Sequence, residues 1–96
     1  MIARENLQRD YRAALLRHLG RREESSLHAG YELGRASLAA DLGLLEVVRV
    51  HHDVLLEVLR TAPTEDLPAV AHAASDFLLE VLASYDMAQR SLPRGS

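Results

Sequence analysis

The sequence predicts an all-α fold, an antiparallel four-helix bundle that forms a dimer, and three observations carry that prediction. Hydrophobic residues make up 48% of the 96 positions and aromatics only 4%. Leu and Ala dominate, which suits helices in close contact and falls short of the β-branched and aromatic residues a sheet would use. Apolar residues also recur at spacings of three and four along most of the chain. Finally, the breaks between periodic stretches are short and hold Gly20, Gly43 and Pro63. Short connections between helices of roughly 15 to 23 residues favour an up-down arrangement.

The first helix spans about residues 3–19, with Leu7, Tyr11, Ala14, Leu15, His18 and Leu19 on one face. Gly20 ends it, as a residue that tolerates positive φ. Arg21 to Ser25 is a connection or the start of the next helix, where Glu23 and Glu24 lie favourably near the positive end of the dipole. The second helix runs from about Ser25 to Asp41 and turns Leu27, Tyr31, Gly34, Leu38 and Leu42 inward. Gly30 and Gly34 inside it cost about 1 kcal/mol each relative to Ala. Close approach by a neighbouring helix would offset that, and Ala36, Ala39 and Ala40 suit the same contact. Gly43 is the expected C-terminal cap.

The third helix, Leu44 to about Thr61, is the expected centre of the fold. Eleven of the sixteen residues from Leu44 to Leu59 are Val, Leu or His51, and the polar residues Glu46, Arg49, Asp53 and Glu57, then Arg60, fall on one narrow stripe. A helix this apolar around its circumference has to be covered on more than one side. Pro63 then breaks the chain. Thr64 or Asp66 caps the fourth helix, and Pro68 fits its unpaired first turn. To about Gln89, Val70, Ala74, Phe77, Leu78, Val81, Tyr85 and Ala88 make its inward stripe. Residues 1–90 therefore read as one domain, and residues 91–96 as a tail or a truncated linker.

Composition narrows the function. Without cysteine there is no disulfide framework, thiol nucleophile or cysteine-bound zinc. No run of about 18 apolar residues and no signal peptide are apparent, so the chain reads as cytoplasmic and without a membrane partner. The net charge of −3 hides an asymmetry: residues 1–22 carry six Arg against Glu5 and Asp10, and the remainder is acidic. A nucleic-acid binder would be basic overall. Here the basic helix is expected to complement the acidic ones.

No constellation of residues points to an enzyme, a metal or a cofactor. His51 and His52 are adjacent, so on a helix they point about 100° apart and cannot chelate together. His51 reads as a hydrogen-bonded core histidine and His52 as an edge or interface residue, while His18, His28 and His72 are scattered. The carboxylate pairs Glu23–Glu24 and Glu65–Asp66 sit at helix starts, where acids serve the dipole. More telling is apolar surface that one bundle does not need. Leu79 and Ala83 lie off the stripe of the fourth helix, and Val50, Val54 and Leu56 exceed what one core requires. Core and dimer contacts are assigned to Val50, His51, Val54, Leu55, Val58, Phe77 and Tyr85.

Several motifs together resemble a known family. They are Tyr11, the ESSL of Glu24 to Leu27, the YELGR of Tyr31 to Arg35, the LLE of Leu44 to Glu46, the His51–His52 pair, and the DFLLEV of Asp76 to Val81 with Tyr85 and Met87. They resemble the N-terminal domain of the RsbU family, bacterial metal-dependent serine phosphatases of the general stress response. The fold implied is a dimeric four-helix bundle, similar also to the C-terminal domain of the clock protein KaiA. The resemblance implies a regulatory module without catalytic residues, which docks a switch kinase of the RsbT type and so activates a following phosphatase domain that controls a sigma factor. By position, the docking surface corresponds to Glu24, His28, Leu79 and Ala83. Where RsbU has an aromatic and a larger aliphatic residue, this chain has His28 and Ala83. Two other readings stand beside this one: a bundle that senses a small apolar ligand or haem through His51, and a purely structural dimerisation segment.

Overall fold

The computed structural model describes residues 2–20 and 24–91, with side chains described for 4–20 and 26–91. It contains α1 (Ile2–Gly20), α2 (Glu24–Ala39), α3 (Leu44–Thr61) and α4 (Leu67–Arg90), with a 3-10 turn at Thr64–Asp66 leading into α4. Among the described residues there is no strand. The predicted all-α bundle is what is found, with helix limits close to those read from the periodicity. Residues 21–23, which include Glu23, and the tail from Leu92 lie outside the described residues.

The caps differ from expectation. Gly43 has φ −74° and stands at the N-terminal cap of α3. The left-handed residue that ends α2 is Asp41, at φ 62°. Its N–H donates to the Leu38 carbonyl (2.9 Å) and the Leu42 N–H to the Ser37 carbonyl (3.0 Å). This is the pair of bonds of a Schellman ending, with Asp in place of the usual Gly. Gly43 instead donates its N–H to the Glu46 carboxylate at 3.3 Å, half of a capping box. Asp66 occupies the cap of α4 without a side-chain hydrogen bond, and Pro68 sits in the first turn as expected.

Consecutive helices run antiparallel, but the packing is not the square that α3 at its centre would require. α1 and α4 each pack against all three other helices, whereas α3 rests on α1 and α4 with no substantial contact to α2. The cross-section is a rhombus with α1 and α4 on its short diagonal. Thus α3 is a flank, not the hub. Its Val47, Val50, His51 and Val54 are buried within the single chain, so Val50 and Val54 are core residues and not surplus. Its opposite face keeps Leu45 at 66% exposure.

The shortest approach is between α2 and α4, parallel helices that an ideal ring would place diagonally. A Cβ built on Gly34 would collide with Ser84 Oγ and the Val81 carbonyl oxygen and stand 2.9 Å from the Tyr85 nitrogen. At Gly30 the nearest atom would be Phe77 Cε1, at 3.3 Å. The expected close approach at these glycines is therefore present, and α4 is the neighbour. Ala36, Ala39 and Ala40 take no part and are exposed. The inner face of α2 is also rotated from the predicted one, with Ser26, Gly30, Leu33, Gly34 and Ser37 buried while Leu27, Tyr31 and Leu38 lie at its margin. Small residues are what lets this helix sink against α4.

Polar residues such as His72, Asp76 and Glu80 interrupt the fourth helix, so it holds no unbroken apolar run of 18 residues. Even so, Thr64–Arg90 is long and apolar enough, by length and composition alone, to cross a membrane. Its Ala73, Ala74, Phe77, Val81, Ser84 and Tyr85 are buried against the other helices, as in the core helix of a bundle.

Candidate functional site

Sinking α2 onto α4 leaves the flanking side chains of both helices standing as walls of a groove. One half, of about 570 Å³, is lined by Leu27, His28, Tyr31 and Glu80. The other, of about 400 Å³, runs on past Tyr31 to Arg35, Leu38, Ser84, Met87 and Ser91. Tyr31 lines both, so the two depressions adjoin at that side chain. Of the four predicted docking residues, His28 lines it, and Leu79 and Ala83 are outside its lining. His28 is exposed on α2, and Leu79 (62% exposed) and Ala83 lie on the outer surface of α4. Glu24 opens α2, with its side chain outside the described residues.

Sequence reasoning assigned no docking role to Tyr31, Arg35 or Met87, although spacing could have shown it. Positions 24, 28, 31 and 35 advance by four, three and four, and share one face of α2 with the predicted Glu24 and His28. In the structure His28 and Tyr31 stack with ring centres 5.8 Å apart and planes inclined by 13°. The Arg35 guanidinium lies 5.9 Å from the centre of the Tyr31 ring, and its Nη1 donates to Tyr31 Oη at 3.4 Å. That hydrogen bond first, and the electrostatic influence of the Tyr31 oxygen second, hold the Arg35 pKa above its ordinary value. The result is a ladder of three side chains along the rim, ending in a fixed positive charge.

A second exposed apolar surface lies on α3. Leu45, Val48, His52, Leu55 and Leu59 follow one another at intervals of three, four, three and four, the spacing of a two-helix seam. His52 and Leu45 are exposed, and Val48, Leu55 and Leu59 are half-buried. Leu44 and Leu56 flank this seam, also exposed. Of the residues assigned to core or dimer contact, Val50, His51, Val54, Phe77 and Tyr85 are buried in one chain, while Leu55 and Val58 are partly covered.

Beneath both surfaces the core holds polar groups. His51 is buried, as expected, with Nδ1 2.6 Å from Tyr11 Oη. Burial first, and the neighbouring His52 second, lower the His51 pKa and favour the neutral ring. Burial pushes the Tyr11 pKa well up, so the phenol keeps its proton. His18, which the spacing placed on the apolar face of the first helix, is also buried, with Nδ1 2.7 Å from Ser26 Oγ. Both histidine-bearing contacts border Phe77, whose ring meets Tyr11 edge-on at 5.3 Å and His18 at 5.6 Å. Tyr85 Oη closes the far end by donating to the Leu42 carbonyl at 2.8 Å. Among the described residues no group of three or more His, Asp or Glu could hold a metal ion.

The family model for the N-terminal domain of phosphoserine phosphatase RsbU matches residues 9–88. The chain belongs to this family. Every motif that carried the resemblance, from Tyr11 to Met87, falls within the matched range. No curated protein and no solved structure matches the chain. RsbU N-terminal domains are the non-catalytic, regulatory part of stress-response phosphatases, which places this chain in a setting of protein–protein interaction.

Proposed function

We propose that this domain docks an RsbT-like switch kinase on the α2/α4 face, forms a homodimer through α3, and relays docking to a serine/threonine phosphatase domain in cytoplasmic partner switching that controls a sigma factor. The observation that supports this reading is an exposed Leu79 and Ala83 on α4, a helix that also lines a largely apolar groove with α2, in a family whose N-terminal domain is regulatory. Tyr31 is of the aromatic type enriched in interface hot spots, and the half-buried lining is already shaped. His28 and Ala83 in place of bulkier side chains make the partner's fit its own.

Leu79→Arg tests the face. Binding to the RsbT-like kinase of the same genome, followed by calorimetry, is expected to fall at least about tenfold. Melting should stay within about 0.5 kcal/mol of the parent, because an exposed site tolerates charge. Unaltered binding, or a global loss of fold, would remove Leu79 from the docking surface. For the dimer, the support is the seam-like spacing on α3, since a soluble protein seldom leaves such a stripe bare. Light scattering should give about 21 kDa, twice the 10.6 kDa chain, and a dilution-independent monomer would end that reading. A co-purified small molecule or haem absorption would instead favour the ligand-sensing alternative around His51.

A further inference from the structure

The groove between α2 and α4 is lined by two charged side chains, Arg35 and Glu80, that form no close ion pair, although Glu32 on the same helix attracts Arg35 from farther off. Around it Asp86 pairs with Arg90 at 3.1 Å, and His28 Nε2 lies 3.7 Å from the Glu32 carboxylate. Arg35 leans on Tyr31, and among the described residues neither it nor the half-buried Glu80 forms an ion pair. The two are not placed at random. Gly30 packs on Phe77 and Val81, and Gly34 on Val81, Ser84 and Tyr85. That register sets Glu80 beside Tyr31 and Arg35 about one helical turn farther along the groove.

Shape restricts the occupant further. On α2 the lining of the two adjoining depressions extends from Leu27 to Leu38, about 16 Å at 1.5 Å per residue. The walls are helices whose backbone hydrogen bonds are internal. The hydroxyls of Ser84 and Ser91 donate to the Val81 and Met87 carbonyl oxygens of their own helix. An extended peptide would find no backbone partners in such a trough, whereas a helix satisfies its own.

We propose that the occupant is an amphipathic helix of the protein partner, about three turns long, carrying a carboxylate for Arg35 and a cation for Glu80 one turn apart. Its apolar stripe lies on Leu27, Tyr31, Leu38 and Met87. This inference rests on reading the α2/α4 face as the partner surface. It adds the partner's secondary structure and its charge pattern.

The test uses two capped, fluorescent Leu/Ala helical peptides of roughly 15 residues. One has Glu and Lys four residues apart at the edge of its Leu stripe, and the other has Gln at both positions. Each is titrated into the wild-type domain and into Arg35→Gln, Glu80→Gln and the double variant. The charged peptide is expected to bind the wild type about tenfold more tightly than the neutral one, with the preference lost in the double variant. Equal binding of both peptides, or binding of neither, overturns the proposal. An RsbT-like kinase that loses binding on Leu79→Arg but ignores Arg35→Gln and Glu80→Gln overturns it as well, and leaves the docking face intact. Peptides that discriminate while the kinase never binds would uphold the helix groove and discard the kinase as its partner.

Discussion

The two parallel helix pairs of this bundle are joined in opposite ways. α2 and α4 meet where side chains are missing, with Gly34 against the Val81 carbonyl and Ser84. α1 and α3 meet where side chains are large and polar, through the Tyr11–His51 hydrogen bond at 2.6 Å and the exposed Arg12–Glu57 ion pair, also at 2.6 Å. The first contact depends on shape and leaves no room for substitution. The second depends on hydrogen bonding and protonation, so solution conditions can change it. The expected charge complement between the basic first helix and the acidic remainder also appears here, in Arg12 and Glu57.

The difference can be broken most sharply at Gly34. Helix propensity alone would make Gly34→Ala stabilising by about 1 kcal/mol. The backbone contact reverses the sign, and the expected result is a loss of about 3 kcal/mol or more in urea denaturation. A variant as stable as the parent would show that α2 and α4 are not held this close. Smaller is the effect expected at the other pair, where Tyr11→Phe leaves the His51 nitrogen buried without its partner. The expected destabilisation is about 1–3 kcal/mol, and no change would mean that this hydrogen bond is replaced by another.

Acid should act on α1/α3 before it acts on α2/α4. In the folded state the His51 pKa lies below its ordinary value, so the unfolded chain binds the extra proton first as pH falls. The stability this provides is complete above about pH 6.5. It is lost as pH drops from there through the lowered folded-state value. His51→Gln should flatten that part of the stability profile measured by urea titration between pH 8 and 5; parallel profiles for parent and variant would assign the acid sensitivity elsewhere. The smallest effect is expected at Gly30→Ala. A methyl group there would come 3.3 Å from an edge atom of Phe77, a side chain able to give slightly. Propensity and crowding then nearly cancel, to within about 1 kcal/mol.

Helix number, limits and order were legible because apolar periodicity reports them directly. The place of each helix in the cross-section was not. An apolar surplus on α3 looks the same whether it is destined for the interior or for an outer face, so Leu44 to Leu59 read as a centre when it is a flank. Ser26, Ser37 and Ser84 carried no core signal, yet all three are buried. Ser37 Oγ donates to the Leu33 carbonyl at 2.7 Å and Ser84 Oγ to the Val81 carbonyl at 3.1 Å. A serine whose hydroxyl is satisfied by its own helix packs like alanine, and hydropathy does not see that. At the candidate site, the exposed Leu79 and Ala83 were legible as residues off the main stripe. The groove between α2 and α4 was not, because it depends on how far α2 sinks at Gly34.

That same glycine contact has a mechanical side. Sliding α2 along α4 by even one residue would drive a neighbouring side chain into the gap that only a hydrogen atom fits, and the Tyr85–Leu42 bond pins the pair again near its far end. The two helices thus engage like a key in its slot, without play. An axial displacement of α2 would therefore have to be shared by α4, which at 24 residues is a rod about 36 Å long.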